Sequence, residues 1–224
     1  MHNTCEPSIL YFGTPVVLVS TKNPDNSDNL APISSIFWLG WRCIIGLGST
    51  NKTTENLIKT RQCVINMPSV NEVAAVDRLA LKTSSYPVPP TKEKRGYVFE
   101  PDKFGTSGFT RQDSDIVTPP RVEECPVQME AEVVAVNLLG QDDPSIAGRI
   151  TTFELKIVRV HIEESILMDG YSDRVDPDKW RPLIMSFQKF YGLESKYTNQ
   201  RCRKYRRRCI EWRSGNRLLY SIRK

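Results

Sequence analysis

Two long β-type runs, residues 127–139 and 151–162, constrain this 224-residue chain most. They are joined by GQDDPSIAG, a connection made almost entirely of turn formers. In the second run Phe153, Leu155 and Ile157 share one face, after which the apolar positions pass to Val158, Val160 and Ile162. Side chains alternate strictly along a strand, so this change of phase calls for a bulge or for a strand covered on both sides. Shorter β-type runs lie at residues 15–20, 33–39, 42–47 and 63–67.

Helical signals are few. Residues 53–60 read as one or two turns, with Thr53 as N-cap and Glu55 and Asn56 in the first turn. Residues 69–80 read as a second helix. There Ser69 and Glu72 form an S-x-x-E capping box, and Val73, Val76 and Ala80 recur at helical spacing. Many strands, two short helices and no regular strand–helix–strand alternation favour a mainly β fold, a barrel or sandwich with helical insertions, over a doubly wound parallel sheet. Residues 82–126 differ in character, being rich in Pro, Gly, Ser and Thr, and an excursion of that length inside a compact domain is commonly functional. Its FGTSGFT stretch, residues 104–110, is a candidate lining for a site.

Charge and cysteine usage narrow the function classes. The net charge of +5 is unevenly placed: residues 200–224 hold ten Lys or Arg and one acid, so residues 1–199 hold 21 basic and 25 acidic side chains. The body is therefore mildly acidic, and 200–224 reads as a basic, disordered tail behind a folded domain of residues 1–199. Six cysteines without a CxxC pair, and only two histidines, argue against a zinc site; no metal is expected. Cys43, Cys63 and Cys125 read as small buried hydrophobes. No apolar run approaches the roughly 20 residues of a membrane-spanning helix, and the N-terminus lacks the pattern of a secretory signal, so a cytoplasmic protein is expected.

Two segments can carry chemistry. GLGSTNKTTEN, residues 46–56, is one residue short of the phosphate-loop pattern GxxxxGK[ST], with Asn51 in place of the second glycine. A helix N-terminus beside Lys52 and the hydroxyls of Ser49, Thr50, Thr53 and Thr54 suits a phosphate, although a plain helix cap explains Thr53 equally well. NLAPISSIFW, residues 29–38, sets small residues and two hydroxyls ahead of Phe37 and Trp38. That pattern fits close approach to a flat ligand, or else a strand leading into the core.

Taken in order, NLAPISSIFWLG, GLGSTNKTTENLIKT, CVINMPS, VDRLALKT, EPDKFGTSGFT, PPRVEECPVQMEAEV, RVHIEESILMDG and DPDKWRPLIMSFQKFYGL resemble the flavin reductase-like family of FMN-binding split barrels over roughly residues 8–193. The resemblance implies a Greek-key split barrel that forms a homodimer and holds FMN at or near the subunit interface. It implies that Ala31, Pro32, Ile33, Ser34 and Ser35 border the flavin ring and ribityl chain. Ser49, Thr50, Lys52, Thr53 and Asn56 would hold the ribityl and phosphate groups, and Phe109 would approach the ring. His161 matches a histidine that some members place near the nicotinamide.

The function so implied is an FMN-dependent oxidoreductase that takes hydride from NADH or NADPH and passes electrons to free flavin, a small acceptor or a flavin-dependent partner enzyme. Two other readings stand beside it. One is an FMN-binding electron carrier or flavin store without turnover. The other is a binder of anionic polymers acting through Arg201, Arg203, Lys204, Arg206, Arg207 and Arg208, although the acidic body makes nucleic acid an unfavoured partner.

Overall fold

The computed structural model describes residues 1–193. The basic segment 200–224 therefore lies outside the described residues. In chain order the first half forms β1 (Phe12–Pro15), β2 (Val17–Lys22), β3 (Asp28–Ile33), β4 (Ile36–Leu39), β5 (Arg42–Gly48), α1 (Lys52–Thr60), β6 (Gln62–Met67) and α2 (Val73–Arg78). There follow β7 (Lys82–Thr83), α3 (Pro90–Glu93), β8 (Val98–Phe99), α4 (Lys103–Ser107), β9 (Arg111–Gln112), β10 (Arg121–Val122), β11 (Val127–Leu138), β12 (Ile150–Ile162), β13 (Leu183–Ser186) and β14 (Lys189–Gly192).

Seven strands make one antiparallel sheet in the order β3-β2-β6-β11-β12-β5-β4. Its two edges, β3 and β4, are separated in sequence only by Ser34 and Ser35. Three Cα steps span at most about 11 Å, so the sheet must bend until its edges face each other. The edges are not joined by a strand ladder; the N–H of Gly46 donating to the carbonyl of Ser35 at 2.9 Å only extends the β4–β5 pairing into the connection. The result is a split β-barrel, mainly β with short helices.

The phase shift read from the sequence is a bulge. Glu130 pairs with Arg159 and Ala131 with Ile157, which leaves Val158 as the extra residue of β12. A second irregularity leaves Val134 unpaired in β11. Inside the barrel, Val17, Val19, Cys43, Ile45, Cys63, Ile65, Phe153 and Leu155 form the main core. Burial pushes the Cys43 thiol up to about 12, in keeping with its role as a small hydrophobe.

A second core lies on the other face of β2 and β3. Leu18 and Leu30 meet Val76, Leu79, Phe104, Phe109, Val122 and Cys125 there. Much of the Pro-rich excursion is thus a packed cover, held by polar side chains buried on β6 and β11. Asn66 Oδ1 accepts from the N–H of Val122 at 2.8 Å, and Gln128 Nε2 donates to the Val122 carbonyl at 2.7 Å.

The helix signals need two adjustments. The Ser69–Glu72 capping box is present, but it opens a 3-10 turn (Val70–Glu72) that passes into α2, and Leu79 rather than Ala80 completes the buried stripe. Thr53 is not an N-cap: α1 starts at Lys52 with Asn51 as N-cap, and Thr53 lies buried within the first turn.

Candidate functional site

The segment between β5 and α1 makes a tight turn, with the N–H of Asn51 donating to the Gly48 carbonyl at 2.9 Å. Thr54 Oγ1 also donates to that carbonyl, at 2.8 Å, and so locks the helix start onto the strand end. Asn51 is extended and its side chain makes no capping bond. The first N–H groups of this nine-residue helix therefore point outward without a side-chain cap, and such groups suit an anion.

They open on a cavity of about 150 Å³ lined by β3, the start of α1, residues 79–83 and parts of the excursion. Four lysines line it (Lys52, Lys82, Lys92 and Lys103), and the lining contains neither Asp nor Glu. Apolar wall is supplied by Ala31, Pro32, Ile33, Leu47 and Leu79. As an edge strand paired only with β2, β3 also keeps backbone groups on its outer side free of strand pairing.

Asn29 organises the floor. Its Nδ2 donates to Thr21 Oγ1 at 3.0 Å and to Thr53 Oγ1 at 3.1 Å, and its Oδ1 accepts from Lys103 Nζ at 3.1 Å. Because Thr53 accepts through its oxygen, its hydroxyl hydrogen is left for another acceptor. Lys52 is partly committed, since its Nζ donates to Glu55 Oε2 at 3.0 Å. Glu55 also accepts from Lys59, and these two bonds, Lys59 first, hold its carboxyl below the usual range. Burial pulls Lys103 down to about 7, with Lys92 adding repulsion and Glu100 opposing it; burial also lowers Lys92.

Of the residues expected at a flavin site, Ala31, Pro32, Ile33, Lys52 and Thr53 are brought together at this cavity. Ser34 and Ser35 form the connection to β4, where Ser35 Oγ bonds the Tyr11 hydroxyl at 2.7 Å. Ser49 bonds Thr151 Oγ1 at 2.9 Å, and Thr50 is exposed at the turn. Asn56 is buried one turn along α1 from Thr53, outside the cavity lining, where its Nδ2 donates to Thr21 Oγ1 and Asn23 Oδ1. Phe109 sits in the second core, outside the cavity lining.

His161 lies elsewhere. Its Nε2 is 2.7 Å from Glu130 Oε1 and 4.0 Å from Asp115 Oδ2. These three side chains could converge on a cation, since their ligand atoms lie within 4.8 Å of one another. Glu130, however, is fully buried and already accepts the N–H groups of Asp115, Ile116 and Val117 at 2.9, 2.6 and 3.0 Å. Burial pushes its carboxyl up, but these N–H groups and His161 outweigh that and hold it below the ordinary value. The arrangement serves as a clamp on residues 115–117.

Sequence reasoning missed Asn29, Lys92, Tyr97 and Lys103 as cavity residues. A lysine beside Phe104 in EPDKF carries no periodic signal of burial; only α4 packing against β3 turns it inward.

Comparison with known proteins agrees with this architecture. The flavin reductase like domain family matches residues 9–194. The uncharacterized protein YdfE of Bacillus subtilis (strain 168) is 35% identical over 188 residues, 84% of this chain and 87% of that protein. Flavoredoxin of Desulfovibrio vulgaris (Miyazaki F) superposes with a TM-score of 0.71 at 19% identity, covering 91% of this chain and 99% of that one. Nitrilotriacetate monooxygenase component B from Bacillus cereus gives 0.67 at 18% identity, covering 85% and 88%.

Proposed function

Since the chain belongs to the flavin reductase-like family and its function is that of a flavin-related oxidoreductase, we propose that it is an FMN-dependent enzyme using NADH or NADPH as electron donor. The observation that carries this reading is the acid-free, lysine-lined cavity at the uncapped N-terminus of α1, beside the free edge of β3. A phosphate needs donors and positive charge; a flat ring needs small residues and an open edge, and these features are adjacent here.

In this reading the first N–H groups of α1, the Thr53 hydroxyl and Lys52 bind the phosphate, and Ser49 and Thr50 flank the ribityl chain. Ala31 to Ile33 let the ring approach the β3 backbone, and Leu47 and Leu79 keep water from its phosphate-side end. Bound FMN would supply the redox chemistry, accepting hydride from the nicotinamide and passing electrons to free flavin, a small acceptor or a partner enzyme. His161, with Nε2 held by Glu130, has Nδ1 left to orient a nicotinamide. Phe37, Leu39 and Trp41 are exposed together on β4 and the turn after it, a surface suited to homodimer formation. Residues 1–199 form the cytoplasmic flavin domain in this proposal, and residues 200–224 are an appendage. Among the described residues no helix is long and apolar enough to cross a membrane.

The test is direct. The purified protein should be yellow or quench FMN fluorescence, sediment as a dimer, and bleach on anaerobic addition of NADH or NADPH. A protein that binds no flavin would overturn the proposal. One that binds FMN but never turns over with either nicotinamide would be a carrier or flavin store.

A further inference from the structure

Phe187 and Gln188 make the two-residue turn between β13 and β14, and both hold positive φ, +45° and +65°. Such a turn is ordinarily built from Asn and Gly, which reach the left-handed region at little cost, whereas a phenylalanine there is strained. Its ring is not consumed by the core. It meets Phe12 of β1 edge to face, with centroids 4.7 Å apart and planes at 87°, and the two residues remain 42% and 72% exposed. A pair in that geometry leaves ring faces open to a third ring.

This aromatic corner is fastened to the split in the barrel. The N–H of Phe187 donates to the Tyr11 carbonyl at 3.0 Å, and the Tyr11 hydroxyl bonds Ser35 Oγ at 2.7 Å. Ser35 belongs to the link between the edge strands β3 and β4. No charged residue occurs along 7–21 or 182–188; Lys189, exposed on β14, is the first charge after the turn. Hairpin stability alone does not call for this arrangement. Asn-Gly at 187–188 and a polar residue at 12 would close the same hairpin with less strain and less exposed apolar surface, and backbone strain that persists is commonly tied to a site.

We propose that Phe12 and Phe187 form the docking site of the electron acceptor, a small, uncharged, flat conjugated ring of the quinone class. This names the acceptor for the flavin reading and rests on that reading, in which Ala31 to Ser35 border the flavin ring. Electron exchange needs the two rings held close together, and Tyr11 ties the corner to that border. The lining selects the partner. Open ring faces on uncharged chain segments suit a neutral ring, whereas a nicotinamide dinucleotide brings phosphates that need cations. The electrons balance: a quinone takes two electrons and two protons and leaves as a hydroquinone, and the flavin reduced by the nicotinamide gives up the same number of each.

The experiment is equilibrium dialysis of the FMN-loaded, oxidised protein against hydroxymethylanthraquinone and anthraquinone sulfonate, one ring system in a neutral and an anionic form. Neither alkylates thiols, so the exposed Cys5 does not interfere. Wild type should bind the neutral ring more tightly than the anionic one. Phe187→Gly and Phe12→Ser should each weaken the neutral ring about tenfold. Glycine takes positive φ freely, so relief of strain in Phe187→Gly offsets the lost ring contact and its melting temperature should stay near that of wild type. That separates a lost site from a lost fold. In turnover with NADH or NADPH, the KM for duroquinone, a neutral acceptor also inert to thiols, should rise about tenfold in both variants.

Equal affinity for the neutral ring in wild type and both variants, no preference for the neutral form, or an unchanged KM overturns the proposal. So does a Phe187→Gly protein that sediments as a monomer where wild type is a dimer, because a second copy of the chain then covers the corner. FMN binding without quinone binding that depends on Phe12 and Phe187 overturns the proposal and leaves the flavin reading intact. Quinone binding that depends on both rings, in a protein that takes no FMN, upholds the aromatic site and overturns the flavin reading together with the acceptor role.

Discussion

Replacing Lys52 by alanine separates a phosphate contact from a helix cap. Lys52 is the first residue of α1, its side chain is 17% exposed, and it lines the cavity. A hydrogen bond to a charged group contributes about 1.5–3 kcal/mol. Lys52 is not a free cation, however, because it already meets Glu55 at 3.0 Å, and that carboxylate is 43% exposed and shared with Lys59. Pairs of this spacing on a helix surface contribute only about 0.2–0.5 kcal/mol. Sharing Lys52 with Glu55 therefore trims the phosphate contact to about 1–2.5 kcal/mol, a loss of roughly 5- to 70-fold in FMN affinity on substitution. Glu55→Gln should act in the opposite direction, tightening FMN a few-fold by releasing Lys52. The assay is fluorescence titration of wild type and both variants with FMN and riboflavin at two salt concentrations. Riboflavin affinity should not change, and FMN binding by Lys52→Ala should be less sensitive to salt. Equal weakening of both flavins, or no change in either, would refute the reasoning and return the segment to a helix start with a surface lysine.

Three other outcomes are expected. Glu130→Gln offers one acceptor oxygen where the carboxylate satisfied three N–H groups and His161, so thermal unfolding should show a loss of about 1–3 kcal/mol for each group orphaned. Because the folded carboxyl titrates below its unfolded value, its stabilisation is present above that unfolded value and lost as pH falls through the folded one; the variant should lack this part of the acid limb, and parallel limbs would refute the clamp. Phe109→Ala should cost about 3–5 kcal/mol of stability as a core truncation, with flavin affinity unchanged in the folded fraction; weaker flavin binding at undiminished stability would instead place Phe109 against the ligand. A chain ending at Glu194 should keep FMN binding and its melting temperature, since the family match ends there, and any salt-sensitive binding of anionic polymers by the full chain should disappear with the removed segment.

The alternation in residues 151–162 determined β12, because it depends only on which residues are adjacent in sequence; its break at Val158 left a bulge or a strand covered on both sides, and the pairing with β11 decided for the bulge. The Ser69–Glu72 box and the strand-to-helix turn at residues 46–56 were legible for the same local reason. The two-residue connection at Ser34 and Ser35 was not legible: residues 33–39 read as one β-type run, and the structure breaks that run into the end of β3 and the start of β4, opposite edges of one sheet, a fact of long-range pairing.

The site divides along the same line. Residues 31–33 and 52–53, which line the candidate cavity, lie in segments whose small side chains and helix start could be read locally, with a core strand and a plain helix cap as equal alternatives. Lys103 joins Asn29 across 74 residues, and His161 joins Glu130 across 31. Phe109 and Asn56 carry the side-chain types expected of ligand contacts, yet the fold turns them into the second core and toward β2. Local sequence determines which backbone shape a segment takes and which residues share a face. What covers that face, and hence whether a lysine meets solvent, a carboxylate or a cavity, is set by segments far away in the chain, so only the tertiary structure decided it.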